Sequence, residues 1–166
     1  MAGVYLSKDE RHYERGLDFY RKKDLEAALA DMDAAIAAAP RNGEYYAARG
    51  LMLLEYGARD EAEADFARAL KHDPTQWLAH YGRGMYAFQE QRYDEAVLHF
   101  SRAQRLAPQR PEVYLHRAAA LHARGDRDEA RRDVDYALEL LRDKTSLPQK
   151  VVRALQSKAR RWQEAL

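Results

Sequence analysis

Six histidines, a dense mixture of carboxylates and guanidines, and one Arg-Gly stretch are the residues of this chain with the means for chemistry. The histidines are His12, His72, His80, His99, His116 and His122. A zinc site on a helix needs two of them four residues apart, as in H-x-x-x-H or H-E-x-x-H, so that both face one side. No pair has that spacing, and all six read as packing or surface histidines. Cysteine is absent, which excludes disulfides, thiolate nucleophiles and Cys-ligated metals. The carboxylates mostly alternate with Arg along the chain, the pattern of a solvated helix face. The stretch HYGRG, residues 80–84, has three readings: a phosphate-cradling turn, an Arg-Gly element for RNA, or part of a helix. A phosphate loop needs its glycines in a strand-to-helix turn, and no strand pattern flanks it. No catalytic constellation emerges, so neither enzymatic activity nor a cofactor or metal is expected.

The elements around these residues decide the Arg-Gly question. HYERG ends at Gly16, YAARG at Gly50, HYGRG at Gly84 and YLHRA at Ala118, a period of 34 residues. Pro40, Pro74 and Pro108 keep the same period. A fixed period overrides local readings, and it divides the chain into units 9–42, 43–76, 77–110 and 111–144. Small or apolar residues recur at Gly16, Phe19, Ala28, Met32 and Ala35 in the first unit. Their counterparts are Gly50, Leu53, Ala62, Phe66 and Ala69, then Gly84, Ala87, Ala96, Phe100 and Ala103, then Ala118, Leu121, Ala130, Val134 and Ala137. Spacings of three, four and seven are helical. In mid-unit, KDLEAA, GARDEA, QRYDEA and GDRDEA place a break before an acidic first turn, a helix start signal. Ala, Arg, Leu and Glu dominate, and all are strong helix formers. Each unit therefore reads as two helices with short turns, and Gly84 as the small residue where they cross.

The bulk numbers agree with a globular helical chain. Charged residues are 33% and hydrophobic ones 46%, which excludes a disordered or membrane-embedded class. No apolar run reaches the ~18 residues of a membrane span, and MAGVYLSKDE lacks the shape of a secretory signal. With no cysteine, a cytoplasmic location is expected. The net charge of +1 gives no overall pull toward nucleic acid or acidic lipid.

The four units resemble tetratricopeptide (TPR) repeats. That pattern has a small residue at the eighth position, Ala at the twentieth, an aromatic at the twenty-fourth, Ala at the twenty-seventh and Pro at the thirty-second. The second and third units match throughout; the first has Met32 at the aromatic place, and the fourth has Val134 there and Arg142 for Pro. The resemblance covers about four-fifths of the chain and implies an all-α fold, a right-handed α–α superhelix of four helix pairs with a C-terminal capping helix over 145–166. The second helix of the last unit is expected to run past its usual end. Ser146 and Gln149 of SLPQ have capping-box spacing, with Pro148 in the first turn. Val151, Leu155, Ala159, Trp162 and Leu166 form its apolar stripe, and Lys150, Arg153, Lys158, Arg160 and Arg161 its solvated basic side. Residues 1–8 form an N-terminal extension, with Ser7 and Glu10 capping a first helix from near Lys8. Val4, Tyr5 and Leu6 either pack on the first unit or enter a groove. Arg15, Arg49, Arg83 and Arg117 hold the seventh place of every unit, and Asp31, Asp65 and Asp133 the twenty-third of three, with His99 in the other. We read these as a ladder of Arg–Asp pairs between packed helices, the rival being a row of arginines for an anionic partner.

The resemblance implies that partners bind along the first helices, on the concave side. In the first unit the corresponding residues are Glu10, Tyr13, Leu17, Tyr20 and Arg21, and in the second Glu44, Ala47, Leu51, Leu54 and Glu55. In the third they are Leu78, Tyr81, Met85, Phe88 and Gln89, and in the fourth Glu112, Leu115, Ala119, His122 and Ala123. The set is apolar for a surface, and contiguous exposed apolar area marks an interaction site. The expected function is a non-catalytic adaptor that binds an apolar or amphipathic protein segment. A chaperone-like holder of a secreted or assembling subunit and a self-associating assembly protein stand as alternatives, so homo-oligomerisation stays open. TPR clamps that hold a chaperone's C-terminal carboxylate use basic residues and Asn; here those places are Tyr13, Leu17, Ala48, Leu78 and Gly82, so no such partner is expected. Neither a membrane nor a nucleic acid is expected as partner, since a basic last helix without interleaved aromatics is a poor nucleic-acid surface.

Overall fold

A computed structural model describes residues 5–142 and 149–165. Among the described residues there are nine α-helices and no strand: α1 (Lys8–Arg21), α2 (Leu25–Ala38), α3 (Gly43–Tyr56), α4 (Arg59–His72), α5 (Trp77–Gln89), α6 (Tyr93–Leu106), α7 (Pro111–Arg124), α8 (Arg127–Arg142) and α9 (Gln149–Ala165). The all-α helical-repeat class read from the 34-residue period is thus the observed one. The chain divides into two compact units, Met1–Gly82 and Arg83–Leu166.

Local signals set the helix ends. Ser7 and Glu10 form the expected reciprocal capping box at the start of α1. Asp24 caps α2 and Asn42 caps α3 through side-chain oxygens. Between the helices of each pair one residue adopts the left-handed conformation, always at the same repeat place: Lys23, Gly57, Gln91 and Gly125. α8 extends to Arg142, past the usual end, where no Pro interrupts it. Val4, residues 146–148 of the SLPQ signal and Leu166 lie outside the described residues.

Close helix crossings explain the glycines of HYGRG. In the first unit, a Cβ on Gly50 would meet the Phe66 ring at 2.6 Å, and one on Gly82 would come closer still to the same ring. In the second, a Cβ on Gly84 would meet the Phe100 ring at 2.6 Å. Both glycines of HYGRG lie inside α5 and admit a neighbouring aromatic ring. Where the twenty-fourth residue is the smaller Val134, the facing position carries Ala118, and both are fully buried. Volume is thus matched across each crossing, as close packing requires.

The capping helix differs from the reading in two respects. Ala159 is buried against α7 and α8, with Leu155 and Trp162 packed beside it, but Val151 is 40% exposed. Lys158 is not on the solvated basic side. Its amine donates to His116 Nε2 at 3.2 Å, while His116 Nδ1 donates to the Glu112 carbonyl at 2.8 Å. The ring is thereby fixed as the tautomer protonated at Nδ1. The aliphatic stem of a lysine can line an apolar contact while its head finds a polar partner.

Candidate protein-binding surfaces

The arginine ladder is present in both units. In the first, Arg15 donates two hydrogen bonds to Asp31 (2.6 and 2.5 Å) and Arg49 two to Asp65 (2.7 and 2.8 Å). In the second, Arg117 donates two to Asp133, both 2.7 Å. Each is a fork on a carboxylate sixteen residues on, and each carboxylate is buried. Asp31 is held below the ordinary carboxylate value of 3.8, chiefly by Arg15 and also by His12, whose Nδ1 lies 3.1 Å away. Arg49 also donates to Asp33 of the preceding helix pair at 2.6 Å. Arg117 makes the equivalent reach to neutral partners, the Ser101 hydroxyl at 3.2 Å and the Gln104 side-chain oxygen at 3.1 Å. These three arginines are structural ties between helices.

In the first unit, Tyr13, Leu17, Tyr20 and Leu78 come together, half-buried around Ala48 and Met52. The Tyr13 ring packs 4.8 Å from Tyr45 and donates its hydroxyl to Glu44 at 2.9 Å. Tyr20 donates to Glu55 at 2.6 Å, and Lys23 to the same carboxylate at 2.9 Å. Burial and the facing carboxylates push both phenols well above their usual range, so they remain neutral donors. Glu55 is held below its ordinary 4.5 by Tyr20 and Lys23. Leu51 is half-buried and Arg21 pairs with Asp18 in solvent. Tyr81 is half-buried, its ring 6.2 Å from Trp77. Leu54, expected on the binding surface, is 6% exposed and belongs to the core.

In the second unit, Met85 is half-buried and Phe88 packs 5.7 Å from Tyr93, with Gln89 in solvent. Leu115 is fully buried in the cluster that receives α9. His122 stands edge-on to Trp162 at 5.5 Å. The last first-helix face is therefore partly covered by the capping helix, and only a tertiary contact reveals this.

Each unit also holds a cleft that the sequence reading did not anticipate. Leu29 of α2, Leu53 and Tyr56 of α3 and Ala64 of α4 line one of ≈ 710 Å³. Arg49 and Asp65 lie in it too, with Glu26, Asp33, Glu61 and Arg68 among its other charged lining residues. The repeat equivalent lies among α6, α7 and α8, with ≈ 280 Å³ lined by Val97, Leu121, Arg117 and Asp133. There Ser101 replaces Asp33 and Arg132 replaces Ala64. A second signal was hidden in the total charge. Met1–Gly82 carries 11 Lys and Arg against 15 Asp and Glu; Arg83–Leu166 carries 17 against 12.

Comparison with known proteins follows the same lines. The tetratricopeptide repeat profile matches residues 13–70 and 57–111, more than half of the chain. No curated protein gives a significant match. The structure is similar to the TPR domain of Arabidopsis OM64 (27% identity, TM-score 0.63, covering 69% of this chain and 95% of that one). It is also similar to a thermophilic TPR protein of Thermus thermophilus (17% identity, TM-score 0.79, covering 95% and 82%). A further similar fold is MamA (17% identity, TM-score 0.62, covering 97% and 93%). With the repeat matched in sequence and its helix pairs present in three dimensions, the chain belongs to the tetratricopeptide repeat family.

Proposed function

We propose that this chain is a non-catalytic adaptor that captures an apolar or amphipathic segment of another protein along its first helices. The observation that carries the reading is the set of half-buried apolar side chains there: Leu17, Leu51, Leu78 and Tyr81 in the first unit, Met85 and Phe88 in the second. Exposed aromatic and Met side chains are rigid anchors and adaptable fillers respectively. Covering the remaining exposed area of three or four of them is worth roughly 2–6 kcal/mol gross, reduced by the ordering cost of the captured segment. Tyr13 and Tyr20 contribute ring faces, since their hydroxyls are engaged by Glu44 and Glu55. No helix among the described residues is long and apolar enough to cross a membrane, and the partner is a protein met in the cytoplasm.

The test is a paired affinity capture from native lysate, read by mass spectrometry. One bait is the wild type; the others are Leu17→Glu with Leu51→Glu, and Met85→Glu with Phe88→Glu, each checked for wild-type helicity. A protein held by the wild type and lost with either pair supports the reading. An unchanged set of captured proteins with both pairs overturns it.

A further inference from the structure

The cleft over α3 is acidic at its borders. Glu26 and Glu61 are exposed, as is Asp33, whose side chain is 65% accessible even while it meets Arg49. Its walls are apolar, from Leu29, Leu53 and Tyr56. Arg49 and Asp65 neutralise one another, which leaves Arg68 as the cation against those three border carboxylates among its lining residues. In the basic unit, α9 seats Ala159, Leu155 and Trp162 inward and presents Arg153, Arg160 and Arg161 to solvent. Arg161, Trp162 and Ala165 border a shallow hollow of ≈ 360 Å³ on that helix.

We propose that the acidic cleft over α3 in one copy receives the arginine-bearing face of α9 from a second copy. The two surfaces answer each other in sign and in kind. Three solvent-facing carboxylates meet three solvent-facing guanidines, a pairing that allows two-point hydrogen bonding. The aliphatic stems of the arginines lie along the Leu29, Leu53 and Tyr56 walls, as long cationic side chains do on apolar surface. The equivalent cleft over α7 is smaller, and Arg132 stands where the first cleft has Ala64. Its lining charges cancel, Arg117 against Asp133 and Arg132 against Glu129, so a basic helix finds no excess of carboxylates there and the contact selects one cleft of the two. Each copy carries one cleft and one helix, so copies join through two such contacts in a closed dimer or through one at a time in a longer series. It uses surfaces other than the first-helix apolar set.

Sedimentation velocity on the full chain tests this across protein concentration and salt. At ~50 mM salt the wild type forms concentration-dependent species of dimer size or larger, and at ~500 mM its apparent Kd weakens at least about tenfold, as screened surface charges require. Glu26→Lys with Glu61→Lys keeps a working helix, and Arg160→Glu with Arg161→Glu keeps a working cleft. Each pair alone stays monomeric, their equimolar mixture assembles again, because native helix meets native cleft and reversed helix meets reversed cleft, and the four changes in one chain restore assembly. Where circular dichroism shows a charge-reversed variant to be misfolded, Glu26→Gln with Glu61→Gln and Arg160→Gln with Arg161→Gln are read instead, each weakening assembly. A wild type that stays monomeric at low salt overturns the proposal. So does assembly that ignores salt, or that persists in both reversed variants.

Discussion

Arg49 and Arg117 occupy the same repeat position, fork the same kind of buried carboxylate and line equivalent clefts, yet their surroundings differ in charge and volume. Arg49 reaches back to a second carboxylate, Asp33, whereas Arg117 reaches back to a hydroxyl and an amide oxygen. The neighbouring crossing is filled by Phe66 against Gly50 in one unit and by Val134 against Ala118 in the other. Repeat position thus assigns a residue its job, and the preceding helix pair sets the local charge. A wide acidic cleft and a narrow one with an added arginine come from the same scaffold, with Asp33 against Ser101 and Ala64 against Arg132 among the positions that differ.

Acid should separate the two units most. His116 in the second is pushed down to about 4, first by burial and then by the Lys158 charge. Its ordinary value is 6.5, so the unfolded chain binds the extra proton between those values. Stability held above pH 6.5 is then lost as pH falls toward 4, by about 3 kcal/mol at the lower end. In the first unit, Asp31 and Glu55 are held below 3.8 and 4.5, so their contributions are full above those values and fail only below them. Trp162 fluorescence in a Trp77→Phe background should report loosening of α9 in the higher window, and His116→Gln should flatten it. An equal response from Trp77 in a Trp162→Phe background would remove the distinction.

The arginine ties give the next effect. Asp133→Ala strands Arg117 with neutral acceptors and should cost roughly 2–3 kcal/mol in urea unfolding. Asp65→Ala leaves Arg49 its bond to Asp33 and should cost about 1 kcal/mol less. Equal losses would show that the second carboxylate contributes nothing.

The crossings differ in tolerance. Gly50→Ala pushes a methyl into the Phe66 ring and also comes 3.2 Å from the Ala62 carbonyl. It should cost about 1–2 kcal/mol despite better helix propensity, and should cost less when introduced into a Phe66→Val background, where the ring is gone. At Gly16 the nearest atom is the flexible tip of Met32, so Gly16→Ala should lie within about 0.5 kcal/mol of wild type. The left-handed positions give small effects as well: Lys23→Gly and Gln91→Gly should each stabilise by roughly 0.5–1 kcal/mol in thermal melts, while Gly57→Ala should destabilise by a similar amount.

The 34-residue period and the small-residue crossings carried most of the fold in the sequence, because each repeats and each obeys helical spacing. The Arg–Asp ladder was legible for the same reason. Leu54 and Leu115 misled because a repeat position predicts direction, whereas burial depends on what packs next to it; Leu115 sits in the cluster that receives α9. Lys158 misled because a charged residue was assigned to the charged side, and its contact with His116 spans 42 residues. The cleft over α3 had no local signature. Its walls come from three helices, and its width depends on small residues, Ala30 and Ala64, whose meaning appears only when equivalent clefts are set side by side.

The back-reaching bond of Arg49 bears on how the first unit opens. Repeat proteins divide their stability between each repeat and its nearest-neighbour interfaces, and strong interfaces make neighbours open together. Arg49 belongs to α3, pairs with α4 and grips Asp33 of α2, so one side chain joins both helix pairs. Amide protons of α2 and α4 should therefore exchange with deuterium through a shared opening, as one foldon rather than two.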